Sequence, residues 1–357
     1  MNFKKIALMA SIVGLFVSQT AIIGNMQPIK EDGCYYYDEH DTLKHIDLSK
    51  ALKIVASKIV SYFYSTEPTE KLDPVALLKP TQTVPAAYSI EPKITWIGHA
   101  TFLVQVNGFN ILTDPIFGSV KVGPFILPKG KRMMPAGIKF EDLPRIDAIV
   151  ISHNHSDHTD TEALTALAKK YQPIVFVPKG NKALIESMGC KHVVECNWWD
   201  NKTITQEDRS LTISCLPAYH WSIRFSLDSY RKALWSSWMI SANDTNIYFA
   251  GDSAYGKHFK EIAEQFPSID VALMPIAPTC EGENKHKLYH MDALEAVDSF
   301  IDLNAQYFVP MHYGTFFLGK DTLIYPITRL NTYWQEKLAI LGDKKLLIAR
   351  CGEEYTL

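Results

Sequence analysis

The stretch Ile149-Val150-Ile151-Ser152-His153-Asn154-His155-Ser156-Asp157-His158 decides how this chain is read. A short apolar run, of the kind that forms a buried strand, opens directly onto a loop bearing three imidazoles and a carboxylate within six residues. Neutral imidazole and carboxylate suit zinc, and they also accept iron or manganese. Spacing matters as much as residue type. On a tight loop, His153 and His155 can turn toward one ion while Asp157 and His158 turn toward a neighbour. The chain has only 12 histidines, so composition does not account for this clustering.

Four ligands on one loop cannot close two metal shells, and three later strand ends offer the remainder. His220 follows the strand-like run Leu211 to Leu216, Asp252 follows Ile247-Tyr248-Phe249-Ala250-Gly251, and His312 follows Tyr307-Phe308-Val309-Pro310-Met311. Each pairs an apolar strand with a polar ligand at its exit, where loops gather function. The derived assignment places His153, His155 and His220 on one ion and Asp157, His158 and His312 on the other. Asp252 is the natural bridge, because a carboxylate can give one oxygen to each ion. A paired centre of this kind acidifies a shared water and steadies charge developing on a phosphoryl or carbonyl oxygen. Asp157 and Asp252 are thus candidate catalytic residues as well as ligands. The sequence contains no Gly-x-Ser-x-Gly elbow, no Walker loop and no dinucleotide glycine fingerprint.

Composition allows a large packed core. Of 357 residues, 47% are hydrophobic and 21% charged, which disfavours disorder. A net charge of -3 leaves no electrostatic footprint for nucleic acid. At the start, Lys4 and Lys5 precede an apolar run from Ile6 to Val17, which fits a signal peptide or membrane anchor over residues 1–23. The expectation is therefore an exported or membrane-associated protein. The six cysteines show no repeated spacing and read mostly as buried thiols, although one or two disulfides could form after export.

Residues 24–92 read as an N-terminal helical and extended segment. Leu48, Leu52, Val55, Ile59 and Phe63 recur at helical spacing, with Lys50, Lys53 and Lys58 between them, so this helix packs on the main domain or lies on a membrane surface. A proline-dotted stretch follows through Pro68, Pro74, Pro80 and Pro85 and reads as a linker or an extended wrap over the core. Residues 93–357 form the expected catalytic domain. Thr101 to Val106 and Phe109 to Thr113 flank an Asn107-Gly108 turn, a strong hairpin signal. Helices are expected at Thr161–Tyr171, Phe259–Phe266, after the capping box Asp292-x-x-Glu295, and at Ile327–Leu341. Strands are expected at Ile174–Val177, Leu211–Leu216, Trp235–Ile240, Ile247–Phe249, Val271–Met274, Tyr307–Val309 and Leu346–Ile348. Grouped strands with interspersed helices predict two sheets with helices outside them.

These residues resemble the metallo-beta-lactamase superfamily, whose signature is a His-x-His-x-Asp-His loop. The resemblance is strongest to its branch of N-acylphosphatidylethanolamine-hydrolysing phospholipase D. It is carried by Trp96-Ile97-Gly98-His99-Ala100-Thr101, Thr113-Asp114-Pro115, the loop Gly123 to Arg132 and Pro217-Ala218-Tyr219-His220-Trp221. Farther along, Phe249-Ala250-Gly251-Asp252-Ser253-Ala254-Tyr255, Tyr289-His290-Met291-Asp292 and His312-Tyr313-Gly314-Thr315-Phe316 extend it. The resemblance implies an α/β fold, a four-layer αββα sandwich, with two zinc ions at one sheet edge on the seven ligands above. It implies that His290 contacts the substrate phosphate and assists the leaving group, and that His99 and Asp114 support the ligands. The implied reaction is attack of metal-activated hydroxide on a phospholipid at a membrane surface, releasing an N-acylethanolamine and phosphatidic acid. A homodimer is compatible with the pattern. Ser156 stands where an aromatic residue is common in the branch, and Thr279 to Leu288 and the front to Pro92 depart from it. The alternatives are a lactonase or soluble phosphodiesterase of the same superfamily, or an exported metal-binding protein without turnover.

Overall fold

A computed structural model of the chain describes residues 14–16, 26–37, 78–224, 229–279, 288–319 and 321–357. Its organisation is visible in the strand before the histidine-rich loop. Ala148 and Val150 enter one hydrophobic core, while Ile149 and Ile151 enter a second. Neighbouring strands divide in the same way: Phe102 and Val104 join the first core, and Leu103 joins the second. Side chains alternate across a strand, so a sheet covered on both faces needs apolar residues at every position. This is why the run Ile149-Val150-Ile151 lacks polar alternation.

In chain order, β1 is Gly14–Phe16, β2 Ile29–Glu31, β3 Cys34–Tyr36, β4 Lys93–Gly98, β5 Thr101–Val106, β6 Phe109–Thr113, β7 Lys121–Val122, β8 Phe125–Ile126, β9 Ala148–Val150 and β10 Ile174–Pro178. Then follow β11 His192–Cys196, β12 Asn201–Gln206, β13 Arg209–Leu216, β14 Ser237–Ala242, β15 Thr245–Phe249, β16 Val271–Pro275, β17 Tyr307–Met311, β18 Lys345–Leu346 and β19 Glu354–Thr356. A seven-stranded sheet has the order β11-β10-β9-β6-β5-β4-β19, and an eight-stranded sheet the order β1-β12-β13-β14-β15-β16-β17-β18. The inner faces of the two sheets share the first core, which holds Phe102, Ile111 and Phe176 together with Ile213, Trp238 and Phe249.

Helices cover the outer faces. Thr161–Tyr171 (α1) lays Leu164, Leu167 and Ala168 on the seven-stranded sheet. Ala293–Leu303, a later helix, packs Phe300 against Phe308 of β17 and against Trp334. Helix, sheet, sheet, helix is the expected four-layer αββα sandwich.

The Asn107-Gly108 hairpin forms as expected, with both residues at positive φ. The capping box at Asp292 and Glu295 also forms, with both reciprocal bonds present. Several elements differ from expectation. β11 and β12 had no sequence signal: β11 is a short strand at the edge of its sheet, and only Ile204 is buried along the polar β12. The expected helix Ile327–Leu341 divides into Tyr325–Glu336 and Leu338–Leu341 at Lys337. The strand expected from Trp235 begins at Ser237, because the preceding backbone N–H groups of Leu234 and Ser236 donate to the Lys179 and Ser152 carbonyls, at 2.7 and 2.8 Å, instead of to β13. The closing strand is Lys345–Leu346, and β19 follows it antiparallel to β4.

Among the described cysteines, Cys34, Cys190, Cys196, Cys215 and Cys351 are free thiols, and all but Cys34 are buried. The expected helix at 46–63 lies outside the described residues, as does most of the expected targeting segment. Within the latter, Gly14–Phe16 pairs antiparallel with β12. Extended backbone does wrap the core after residue 79: Thr81 donates to the Cys351 carbonyl at 2.7 Å and Thr83 to that of Gly137 at 3.0 Å. Among the described residues, no helix is long and apolar enough to cross a membrane.

Candidate metal centre

Strands β6, β9 and β10 run parallel, as do β15, β16 and β17, so their carboxyl ends collect at one edge of the sandwich. The histidine loop leaves β9 there. It closes on itself through Thr159 N–H to the His155 carbonyl at 2.8 Å and Thr159 Oγ to the His153 carbonyl at 2.7 Å. Asp160 then caps α1 by accepting from Glu162 N–H at 3.1 Å, which fixes where the loop ends. The second sheet holds the loop from behind: the Trp238 indole donates to the Ile151 carbonyl at 2.9 Å, and Ser236 N–H to that of Ser152 at 2.8 Å. Gly251 lies against the same turn at φ +58°, where a Cβ would sit 2.4 Å from the Ser152 Cβ. Only glycine lets the strand bearing Asp252 approach this closely.

The seven expected ligands converge, although they span half the sequence. His153 Nε2 lies 2.8 Å from His155 Nδ1, which lies 3.3 Å from His220 Nε2. His158 Nε2 lies 3.2 Å from His312 Nε2 and 3.4 Å from Asp157 Oδ2. Asp252 stands between the groups. Its Oδ2 is 3.3 Å from His158 Nε2, 3.9 Å from His220 Nε2 and 4.0 Å from His153 Nε2, while its Oδ1 is 3.1 Å from His312 Nε2. These distances gather His153, His155 and His220 in one group and Asp157, His158 and His312 in another, with His99 beside the second and Asp252 between the two.

Hydrogen bonds behind the rings fix which nitrogens face inward. His220 Nδ1–H donates to the Tyr289 carbonyl at 2.7 Å, His312 Nδ1–H to that of Ala277 at 2.9 Å, and His158 Nδ1–H to Asp114 Oδ2 at 2.7 Å. Ser152 Oγ donates to Asp114 and accepts from His153 Nδ1–H at 2.9 Å. Four imidazoles therefore commit Nδ1 outward and leave Nε2 as the inward ligand atom, the arrangement found where a carboxylate or carbonyl orients a metal-binding histidine. Asp114, also bonded by Ser152 N–H at 2.7 Å, thus serves both donor sets. His99 supports the remaining carboxylate by donating Nε2–H to Asp157 at 3.0 Å.

Electrostatics favour a cation at this position. Burial and neighbouring imidazoles hold His153 and His155 well below the ordinary imidazole range, and burial puts His220 at about 4. His99 is held at about 3, chiefly by burial and then by His312. These rings are neutral at physiological pH. Burial would raise Asp157 and Asp252, but His158 above all outweighs it and keeps both well below the usual carboxylate range. Burial would lower His158, yet the charges of Asp252 and Asp157 hold it far above 6.5. The buried Asp252 and the partly exposed Asp157 carboxylates are thus balanced here by a protonated His158, a place that a bound metal would take by displacing that proton. The donor set fits a pair of divalent ions.

His290 lies beside this cluster, its Nδ1 3.7 Å from Asp252 Oδ2 and its ring 5.1 Å from that of His220; its side chain is 15% exposed, against at most 2% for His153, His158, His220 and His312. Arg224 is a residue the sequence gave no reason to select. It is buried, donates to the Asn154 carbonyl at 3.3 Å and to Thr161 Oγ1 at 2.9 Å, and so ties the histidine loop to the first turn of α1. Burial lowers its guanidinium to about 10, which leaves it cationic.

Comparisons with known proteins agree with this geometry. A family model described as the beta-lactamase superfamily domain matches residues 109–313. The mitochondrial N-acyl-phosphatidylethanolamine-hydrolyzing phospholipase D of Saccharomyces cerevisiae is 36% identical over 252 residues, covering 70% of this chain and 51% of the yeast protein. N-acyl-phosphatidylethanolamine-hydrolyzing phospholipase D 1 of Caenorhabditis elegans is 34% identical over 233 residues, covering 63% of this chain and 64% of the nematode protein. The chain thus spans about half the length of the first relative and under two thirds of the second. Among solved structures, a metallo hydrolase of Ignicoccus hospitalis aligns with TM-score 0.53 and 23% identity over 74% of this chain and 98% of its own, a likeness of fold. With over half its length matched by the family model, this chain belongs to the beta-lactamase superfamily and is a metal-dependent hydrolase of the metallo-beta-lactamase type.

Proposed function

We propose that the chain is a zinc-dependent phosphodiesterase of phospholipase D type acting on N-acylphosphatidylethanolamine-like lipids. The observation that carries this reading is the pair of donor sets sharing Asp252, with His290 beside them. The printed activities of the yeast and nematode relatives supply the substrate class.

His153, His155 and His220 would hold one zinc ion and Asp157, His158 and His312 the other, with Asp252 between them. When bound, the metals supply Lewis acidity for a phosphate oxygen and for water. The protein's own residues do the rest. Asp114 and the Tyr289 and Ala277 carbonyls keep the ligand imidazoles in the tautomer that presents Nε2 inward. His99 holds the Asp157 carboxylate in place. His290 is positioned to hydrogen-bond a phosphate oxygen and to pass a proton to the departing alkoxide. Water adds to phosphorus and the bond from phosphorus to the ethanolamine oxygen breaks. The products are phosphatidic acid and the N-acylethanolamine.

The test is to incubate the zinc-loaded full chain with vesicles containing N-acylphosphatidylethanolamine and to assay both products. Both should form, and neither should form with Asp252→Asn. Turnover of a lactone or a soluble phosphodiester, without phosphatidic acid from the lipid, would overturn the substrate assignment.

A further inference from the structure

The loop between β6 and β9 carries a feature that the metal centre does not use. β7 and β8 pair only with each other and extend from both main sheets as a separate ribbon. An isolated two-stranded ribbon has little stability of its own, and here only the base is anchored. Val120 N–H donates to the Gly130 carbonyl at 2.7 Å, and Leu127 N–H donates to that of Val120 at 3.0 Å. Val120 then packs with Ile116 and Phe316.

Beyond that base Lys121 reaches Glu162 of α1, and the tip is open to solvent. Phe125 is 74% exposed, Ile126 52% and Val122 38%, and a side chain built at Gly123 would find no atom within 4 Å. Three adjacent large apolar side chains at a projecting tip cost free energy in water and mark a surface that meets another phase or partner.

Charge identifies the partner. From residue 115 to 140 the chain has five basic residues, Lys121, Lys129, Lys131, Arg132 and Lys139, and no acidic one, although its net charge is -3. Arg132 is directed inward, donating to the Ile97 carbonyl at 2.7 Å and the Met134 carbonyl at 2.7 Å. Lys129 Nζ donates to the Gly319 carbonyl, while Lys131, next to the ribbon base, is exposed. Glu162 pairs with Lys121 at 2.7 Å, and Glu141 and Asp142 follow the stretch. An apolar tip above a collar of Lys121 and Lys131, with no acidic residue in the ribbon itself, matches the acyl region and the anionic headgroup layer of a bilayer. The ribbon also stands beside the metal centre: Phe316, in the same small core as Val120, packs edge-on to His99 at 4.9 Å, and His99 holds Asp157.

We propose that the β7–β8 ribbon inserts Phe125 and Ile126 into the surface of an anionic phospholipid bilayer and so brings the edge bearing the metal centre against the membrane. This deepens the phospholipase reading and rests on it for its biological sense, but it is tested without any substrate.

The full-length protein is floated with vesicles of phosphatidylcholine plus phosphatidylglycerol, and with vesicles of phosphatidylcholine alone. The wild type should partition to the anionic vesicles, and more weakly at high salt. The double variant Phe125→Ser, Ile126→Ser should lose roughly tenfold or more of that partitioning, and Lys131→Glu should lose its salt-sensitive part. Metal content and the urea midpoint of both variants should match the wild type, because Phe125 and Ile126 are more than half exposed and Lys131 is exposed. Undiminished flotation of the double variant overturns the proposal, as does a wild type that ignores both vesicle types. Conversion of a dimer to a monomer by the double variant, with flotation unchanged, also overturns it and assigns the tip to a second copy of the chain. Ribbon-dependent flotation without phosphatidic acid formation leaves this inference standing and removes the lipid-hydrolysis reading.

Discussion

Replacing Asp114 with asparagine should separate the two halves of the metal centre without touching a ligand. Three donors converge on this buried carboxylate: Ser152 N–H on Oδ1, and Ser152 Oγ–H and His158 Nδ1–H on Oδ2. An amide of the same shape offers one oxygen. In either orientation at least one donor then faces an NH2 group. If the amide nitrogen faces His158, the ring relieves the clash by moving its proton to Nε2, which removes the lone pair aimed at the metal. Loss of such supporting partners weakens metal binding about 10- to 100-fold, or roughly 1.4–2.7 kcal/mol at 1.36 kcal/mol per tenfold. The measurement is zinc titration against a competing chelator, resolved into two steps. The step that depends on His158, Asp157 and His312 should weaken by that amount. The step on His153, His155 and His220 should weaken less, because Asp114 reaches it only through Ser152. Two unchanged binding steps in Asp114→Asn would refute the tautomer argument, and with it the assignment of Nε2 as the inward atom.

Other expectations follow from the same geometry. Gly251→Ala should cost about 2 kcal/mol or more by urea melting and lower bound metal, because the new methyl meets Ser152 at a strained backbone angle; an unaltered midpoint would show that the turn has room. His258 is buried and held at about 3 against 6.5 by burial. Its folded value is depressed, so its contribution is intact above pH 6.5 and is lost as pH falls from there toward 3, by up to about 1.4 kcal/mol per pH unit. His258→Gln should therefore flatten the stability slope between pH 7 and 4.5 by about one proton, and an identical slope would exclude this histidine as a source of acid sensitivity. Chelation should lower the thermal midpoint, since a ligand present at about 1,000 times its Kd adds about 4 kcal/mol. It should also leave the protein binding extra protons, and a midpoint indifferent to chelator would speak against a metal-stabilised fold.

The covered strand before His153 was legible because burial on both faces leaves a run of apolar residues that a polar surface strand does not have. The Asn107-Gly108 hairpin and the Asp292 capping box were legible because turn and cap chemistry is local. β11, β12 and the β7–β8 ribbon were not. An edge strand is defined by its neighbour's open hydrogen bonds, and those belong to another part of the chain. The break at Lys337 was missed for a related reason: apolar spacing continued across it while the backbone did not.

At the candidate centre, the seven residues singled out from the sequence are brought together, and His99, Asp114 and His290 stand among them; strand-end donors after a dense histidine loop are a pattern that single residues carry. Their chemistry could not be read that way. Which nitrogen faces inward depends on Asp114, Ser152 and the Tyr289 and Ala277 carbonyls, and these partners meet only when the carboxyl ends of parallel strands gather at one edge. Arg224 shows the same limit: its guanidinium acts on a backbone carbonyl 70 residues away in sequence, and no local pattern encodes that contact. Sequence specifies the donors, because ligand type is a property of single residues; tautomer, charge and the collar around the ribbon arise from proximity, which folding alone creates.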